Sequence, residues 1–101
     1  MIAVSYCPGL NRIECTGHAG YAQKGSDILC ASVTALCYTL AFFAERAGAG
    51  TELVFREGHI VVGCRPRAGY KAVTRLVYGI FAEGLRKIAE DWPAYVSFEV
   101  S

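Results

Sequence analysis

The chain has no Cys-x-x-Cys pair, no run of basic residues, no internal repeat and no low-complexity tract. Its five cysteines are odd in number and lack framework spacing, so complete internal pairing is impossible. The economical expectation is a reduced protein working in the cytoplasm. A net charge of +1 and the absence of a basic run leave no electrostatic footprint for nucleic acid or an anionic lipid surface. No composition break marks a linker, so residues 1–101 are expected to form one domain. The opening residues Met1–Tyr6 are apolar but carry no basic leader. They meet Cys7-Pro8-Gly9 too early for a signal peptide. The longest uncharged stretch, Ile28 to Ala44, has seventeen residues, below the roughly 20 that a bilayer requires. It also carries Ser32, Thr34, Tyr38 and Thr39, and reads as a buried helix rather than a membrane span.

What is present is a chain of 101 residues, 53% of them hydrophobic, enough to bury a core without disulfide staples. Residues 1–6 and 11–16 alternate, with Ile2, Val4 and Tyr6 on one face, Ile13 and Cys15 on one face, and Pro8-Gly9 turning between them. A glycine-punctuated loop follows over 17–26. From Asp27 to about Ala47, Leu29, Val33, Leu36, Leu40, Phe43 and Ala47 form a helical stripe, ended by Gly48 and Gly50. Residues 51–56 and 59–65 read as a second hairpin around Glu57-Gly58. A second helix is expected over about 70–91, with Lys71, Arg75, Glu83, Arg86 and Glu90 on one side and Val73, Val77, Ile80 and Ile88 away from them. Tyr95 to Val100 alternates, with Val96, Phe98 and Val100 inward. The order is ββαββαβ, an α+β class with two helices on a largely antiparallel sheet. The first helix has Tyr38 and Phe42 opposite its core stripe, so a second copy of the chain is the expected cover. This predicts a homodimer with helix 27–47 near the seam.

Two residues invite a chemical reading. Cys30 falls in the first turn of the first helix, after Ser26 or Asp27 as N-cap. There the unpaired amides and the positive end of the helix dipole favour thiolate over thiol. The azimuth of Cys30 is at the margin of the core stripe, reachable yet walled on one side. His18 sits where the second strand ends, and the loop can return the chain so that the two side chains meet. A cysteine nucleophile needs such a base, and the adjacent amides of the helix start are candidates to hold an oxyanion. Asp27 has two open readings. It caps the helix, or it orients His18 or contacts substrate; its charge should then face away from Cys30 or pair with His18. Cys15, His18 and Cys30 are also a conceivable zinc set, though no Cys-x-x-Cys accompanies them. His59 reads as a solvated hairpin residue, and Cys7, Cys15, Cys37 and Cys64 as turn or core thiols.

The residues Gly17-His18-Ala19, Gly25-Ser26-Asp27 and Cys30-Ala31, followed by the uncharged helix, resemble the ribosomal-processing cysteine proteases called Prp. The length and the element order fit across the chain, while the specific signal is confined to residues 17–36. One departure is Thr34, where members commonly have serine; the hydroxyl is kept. The resemblance implies a cytoplasmic, homodimeric cysteine endopeptidase without cofactor or metal. Its implied substrate is a ribosomal protein precursor, number twenty-seven of the large subunit, from which it removes a short N-terminal extension. It further implies Cys30 as nucleophile, His18 as proton donor and acceptor, and Asp27 as a supporting polar residue. Gly17, Gly20 and Gly25 would then let the loop open for a peptide and close behind it. The competing classes are a non-enzymatic interaction module and a redox-sensing thiol protein.

Overall fold

Alternation becomes sheet where the pattern predicts it. Ile2 and Val4 of β1 (Ile2–Cys7) are buried, as are Ile13 and Cys15 of β2 (Arg12–Thr16). The computed structural model describes residues 1–23 and 27–101. A single 3₁₀ turn, Pro8–Leu10, joins the two strands, with Pro8 at its first position and Asn11 in the left-handed region at its end. Helix α1 spans Ile28–Ala47 and passes directly into β3 (Gly48–Arg56), so β3 begins three residues earlier than the alternation suggests. A two-residue turn, Glu57-Gly58, leads to β4 (His59–Pro66). Helix α2 covers Lys71–Asp91, and β5 covers Val96–Val100.

The sheet order is β3-β4-β2-β1-β5. Every neighbouring pair is antiparallel except β1 with β5, which run parallel with Val4 beside Phe98. Both helices cover the same face. There Leu29, Val33 and Leu40 of α1 and Tyr78 and Leu85 of α2 close over Val4, Ile13, Val62 and Val96. Tyr78 is fully buried, and its hydroxyl donates to the Val62 carbonyl at 3.2 Å, which removes the cost of burying a phenol.

The structure bears out the charged side of α2 and packs Val77 and Ile88 against the core, but corrects the reading of Val73 and Ile80. The buried residues of α2 are Thr74, Tyr78, Ala82 and Leu85, whereas Val73, Leu76 and Ile80 are exposed. Thr74 can turn inward because its hydroxyl donates to the Tyr70 carbonyl one turn back. Val100 lies on the inward face of β5 but at its end, and is exposed. By length and apolarity alone α1 is sufficient to cross a bilayer. In the fold it spends one side on the sheet, burying Leu29, Val33, Cys37, Leu40 and Ala44.

The opposite face of the sheet is polar. Arg12 reaches Glu52 and Glu14 at 2.9 and 3.1 Å, and Glu14 in turn meets His59 Nε2 at 2.7 Å. His59 is therefore half-buried in an ion-pair chain across β3, β2 and β4, not a free hairpin residue. Hydrogen bonding to His59, then to Arg12, holds the Glu14 carboxyl below its ordinary range.

Candidate active site

The start of α1 is built on one carboxylate. Asp27 has the extended backbone of an N-cap, and its Oδ1 accepts the N–H groups of Leu29 and Cys30, both at 3.0 Å. Its Oδ2 accepts the N–H groups of Tyr21 and Ala22, at 3.1 and 3.4 Å. One side chain thus caps the helix and pins the preceding loop across it. These amides, that of Cys30 foremost, hold the carboxyl below its ordinary range.

This arrangement alters the expected chemistry in two ways. The Asp27 carboxylate is occupied by four backbone amides rather than by the His18 ring. Three of the helix-start amides are not free for an oxyanion either. Those of Leu29 and Cys30 go to the Asp27 side chain, and that of Ala31 goes to the Asp27 carbonyl at 3.1 Å. A serine cap, with one oxygen, would have satisfied fewer donors. The donor that does reach the sulfur comes from the loop: the N–H of Ala19 points at Cys30 Sγ, 3.5 Å away.

His18 is placed from the other side. Gly17 ends β2 with φ +91°, and a Cβ there would lie 2.3 Å from the Met1 carbonyl oxygen, so only glycine fits. The Gly17 N–H donates to the Gly58 carbonyl at 2.9 Å. The imidazole of His18 then rests against the Glu57-Gly58 turn, where a Cβ on Gly58 would come within 3.1 Å of Nε2.

His18 and the half-buried Cys30 both line a cleft of about 780 Å³. One wall is the exposed side of α1, including Ala31, Thr34 and Tyr38; the other is the β3–β4 turn from Arg56 to Ile60. Gly17, Gly20 and Asp27 border the same cleft, and Gly20 has φ +69°. Gly25, and Ser26 as the alternative cap, lie outside the described residues. Tyr38 stacks on Phe55 with ring centroids 4.3 Å apart, making it a cleft wall as well as an exposed residue of α1.

The remaining thiols take structural places. Cys15 and Cys37 are buried with their sulfurs 3.9 Å apart, which packs Cys15 against α1. Their shared hydrogen and burial both raise the Cys15 thiol. Burial also raises Cys64. Among the described residues no group of three His, Cys, Asp or Glu side chains is arranged to hold a metal ion.

The β3–β4 turn is the part of the site that residue patterns do not reveal. Glu57-Gly58 signals a hairpin, but nothing local says that β4 pairs with β2. That pairing sets His59 opposite Thr16, and so brings the turn beside His18.

A thiol at a helix start and an imidazole at a strand end thus open on one cleft of an α+β domain, and the class to which the chain belongs is that of the cysteine-type peptidases. The chain belongs to the cysteine protease Prp family, whose model matches residues 1–97. Among solved structures it is similar to the ribosomal processing protease Prp from S. aureus in complex with a covalently linked product peptide. That match has 18% identity and a TM-score of 0.82 and covers 100% of both chains. The same S. aureus protease in complex with a substrate peptide matches with 17% identity and a TM-score of 0.74, again over 100% of both chains. SMU.848 from Streptococcus mutans is 24% identical, with a TM-score of 0.70, over 98% of this chain and 90% of that one. No curated protein matches the sequence.

Proposed function

We propose that the chain is a cytoplasmic endopeptidase that removes a short N-terminal extension from ribosomal protein number twenty-seven of the large subunit, with Cys30 and His18 as its dyad. The reading is supported most directly by the convergence of these two side chains on one cleft, with the Ala19 amide directed at the sulfur. Family membership and the peptide complexes of the S. aureus protease point the same way.

In this reading His18 takes the Cys30 proton and the sulfur attacks the scissile carbonyl carbon. The C–N bond then breaks, the amine leaves with the proton carried by His18, and a thioester remains on Cys30. Water, deprotonated by His18, attacks the thioester and releases the carboxylate, and the sulfur regains its proton. The Ala19 N–H, beside the sulfur before attack, is placed to donate to the oxyanion that forms there.

The test is cleavage of the organism's own full-length ribosomal substrate, read by mass. Loss of the extension with the wild-type protein, and none with Cys30→Ala or His18→Ala, is expected. Full cleavage by either variant would remove that residue from the mechanism. An unprocessed substrate with an active peptidase would remove the substrate assignment.

A further inference from the structure

We propose that Gly58, at the tip of the β3–β4 turn and forty residues from His18 in the chain, is the positioning residue that sets the imidazole for proton transfer. The inference rests on His18 acting as the base. Two separate contacts carry it. The Gly58 carbonyl accepts the Gly17 N–H at 2.9 Å, which fixes the backbone just before His18. The bare α-carbon of Gly58 also leaves room for the ring: a Cβ would stand 3.1 Å from Nε2, 3.6 Å from Cδ2 and 3.7 Å from Cε1.

The imidazole therefore lies against a position that has no side chain, with Nε2 nearest to it. Contact at 3.1 Å is closer than carbon and nitrogen normally approach without a hydrogen bond, so an added methyl group makes the ring give way by a few tenths of an ångström. Two strands hold the seat still. His59 pairs with both Thr16 and Arg56 in the ladders, and its ring is tied to Glu14 at 2.7 Å, so the turn cannot retreat to make room. Proton transfer needs hydrogen-bond reach and alignment between ring nitrogen and sulfur. A misplacement of about 1 Å costs on the order of 10²-fold in rate.

Gly58 also has φ +74°, so replacing it strains the backbone whatever it touches. Gly69 separates the two effects. It has φ +89° in another turn, and nothing lies within 4 Å of the place its Cβ would occupy.

The experiment compares Gly58→Ala, Gly58→Asn, Gly69→Ala and His18→Ala by thermal melting and by kcat and KM on a junction peptide. Asparagine tolerates the left-handed region better than alanine, so Gly58→Asn keeps the test available if Gly58→Ala does not fold. Gly58→Ala and Gly69→Ala should lose similar melting temperature, since both pay the same backbone strain. Only the Gly58 variants should lose kcat, by about 10-fold or more, with KM little changed. Gly58 variants that turn over within about twofold of Gly69→Ala would overturn the assignment, provided His18→Ala is inactive. An active His18→Ala would instead overturn the dyad on which it rests.

Discussion

The backbone amide of Ala19 donates to the sulfur of Cys30 across 3.5 Å, bridging a loop and a helix eleven residues apart. The sulfur is thereby held from the loop side, while the amides of Leu29 and Cys30 are taken up by the Asp27 carboxylate. The chemistry of Cys30 thus depends on where residues 19–22 lie, and the first two expectations follow from this dependence.

Cys30 should be the fastest thiol in the chain toward iodoacetamide. Cys15, Cys37 and Cys64 are buried, and Cys7 is half-buried like Cys30 but has no imidazole in a shared cleft. An ordinary thiol is only a few per cent thiolate at neutral pH, so one that can pass its proton to a base should react about 10-fold faster or more. Peptide mapping after brief labelling at pH 7 should find Cys30 modified before Cys7, and His18→Ala should erase the difference. Equal labelling of Cys7 and Cys30 in the wild-type protein would favour an inert thiol.

Asp27 performs two tasks that a smaller cap would separate. Serine at this position can still accept from the helix-start amides, but its one short hydroxyl cannot also span to the amides of Tyr21 and Ala22. Asp27→Ser should therefore keep the helical circular-dichroism signal and lose about 10-fold in kcat/KM as the loop, and with it Ala19, shifts from the sulfur. Wild-type turnover in Asp27→Ser would show that the loop holds its place without the carboxylate.

Much of this architecture was legible in advance. The strand faces, the α1 stripe and the order of elements follow from periodicity, because each depends on neighbours two to four residues apart. The Asp27 cap was also readable, being a local pattern. What patterning could not reach is what non-local pairing decides. Examples are the parallel β1–β5 pair, the placement of both helices on one face, and the seat that β4 provides for His18. On α2 the charged side is exposed and Val77 and Ile88 pack against the core as the pattern suggests, but Val73 and Ile80 do not, for a related reason. The centre of the inward face is a tyrosine whose hydroxyl finds a carbonyl on β4, while the more apolar Val73 and Ile80 stay outside. His59, read as solvated, takes its partner from β2, 45 residues away in the chain.

The carboxyls of Asp27 and Glu14 determine an acid limit. Each is held below its ordinary value, 3.8 for Asp27 and 4.5 for Glu14, by groups that bind the ionised form only in the fold. A lowered native pKa stabilises the protein above the unfolded value, and that contribution is lost as pH falls through the native one. Melting temperature should therefore hold steady down to about pH 5 and fall below about pH 4.5. Asp27→Asn should melt lower at neutral pH yet show a shallower acid decline. An unchanged slope in that variant would mean that Asp27 does not contribute to the acid transition.

The dimer is a proposal that exposed apolar side chains on the helices support. Phe42 on α1 is 72% exposed, and Leu76 and Ile80 on α2 are 63% and 61% exposed. Burying side chains of this size yields about 1.5–3 kcal/mol each. A stable interface takes roughly 800 Å² and about 20–30 residues from each partner, so these side chains would be anchors within a wider seam. Tyr38 is less available than its exposure suggests, because it already stacks on Phe55 and faces the cleft. Phe42 should therefore weigh more in the association than Tyr38. Light scattering should give twice the 10.9 kDa of one chain, and Phe42→Glu, which sets a charge at the most exposed aromatic ring, should give a single chain that melts as a folded protein. A wild-type monomer at all concentrations up to about 100 µM, a range in which even interfaces of micromolar affinity are largely occupied, would exclude the dimer. Persistence of the dimer in Phe42→Glu would move its seam off this face of α1.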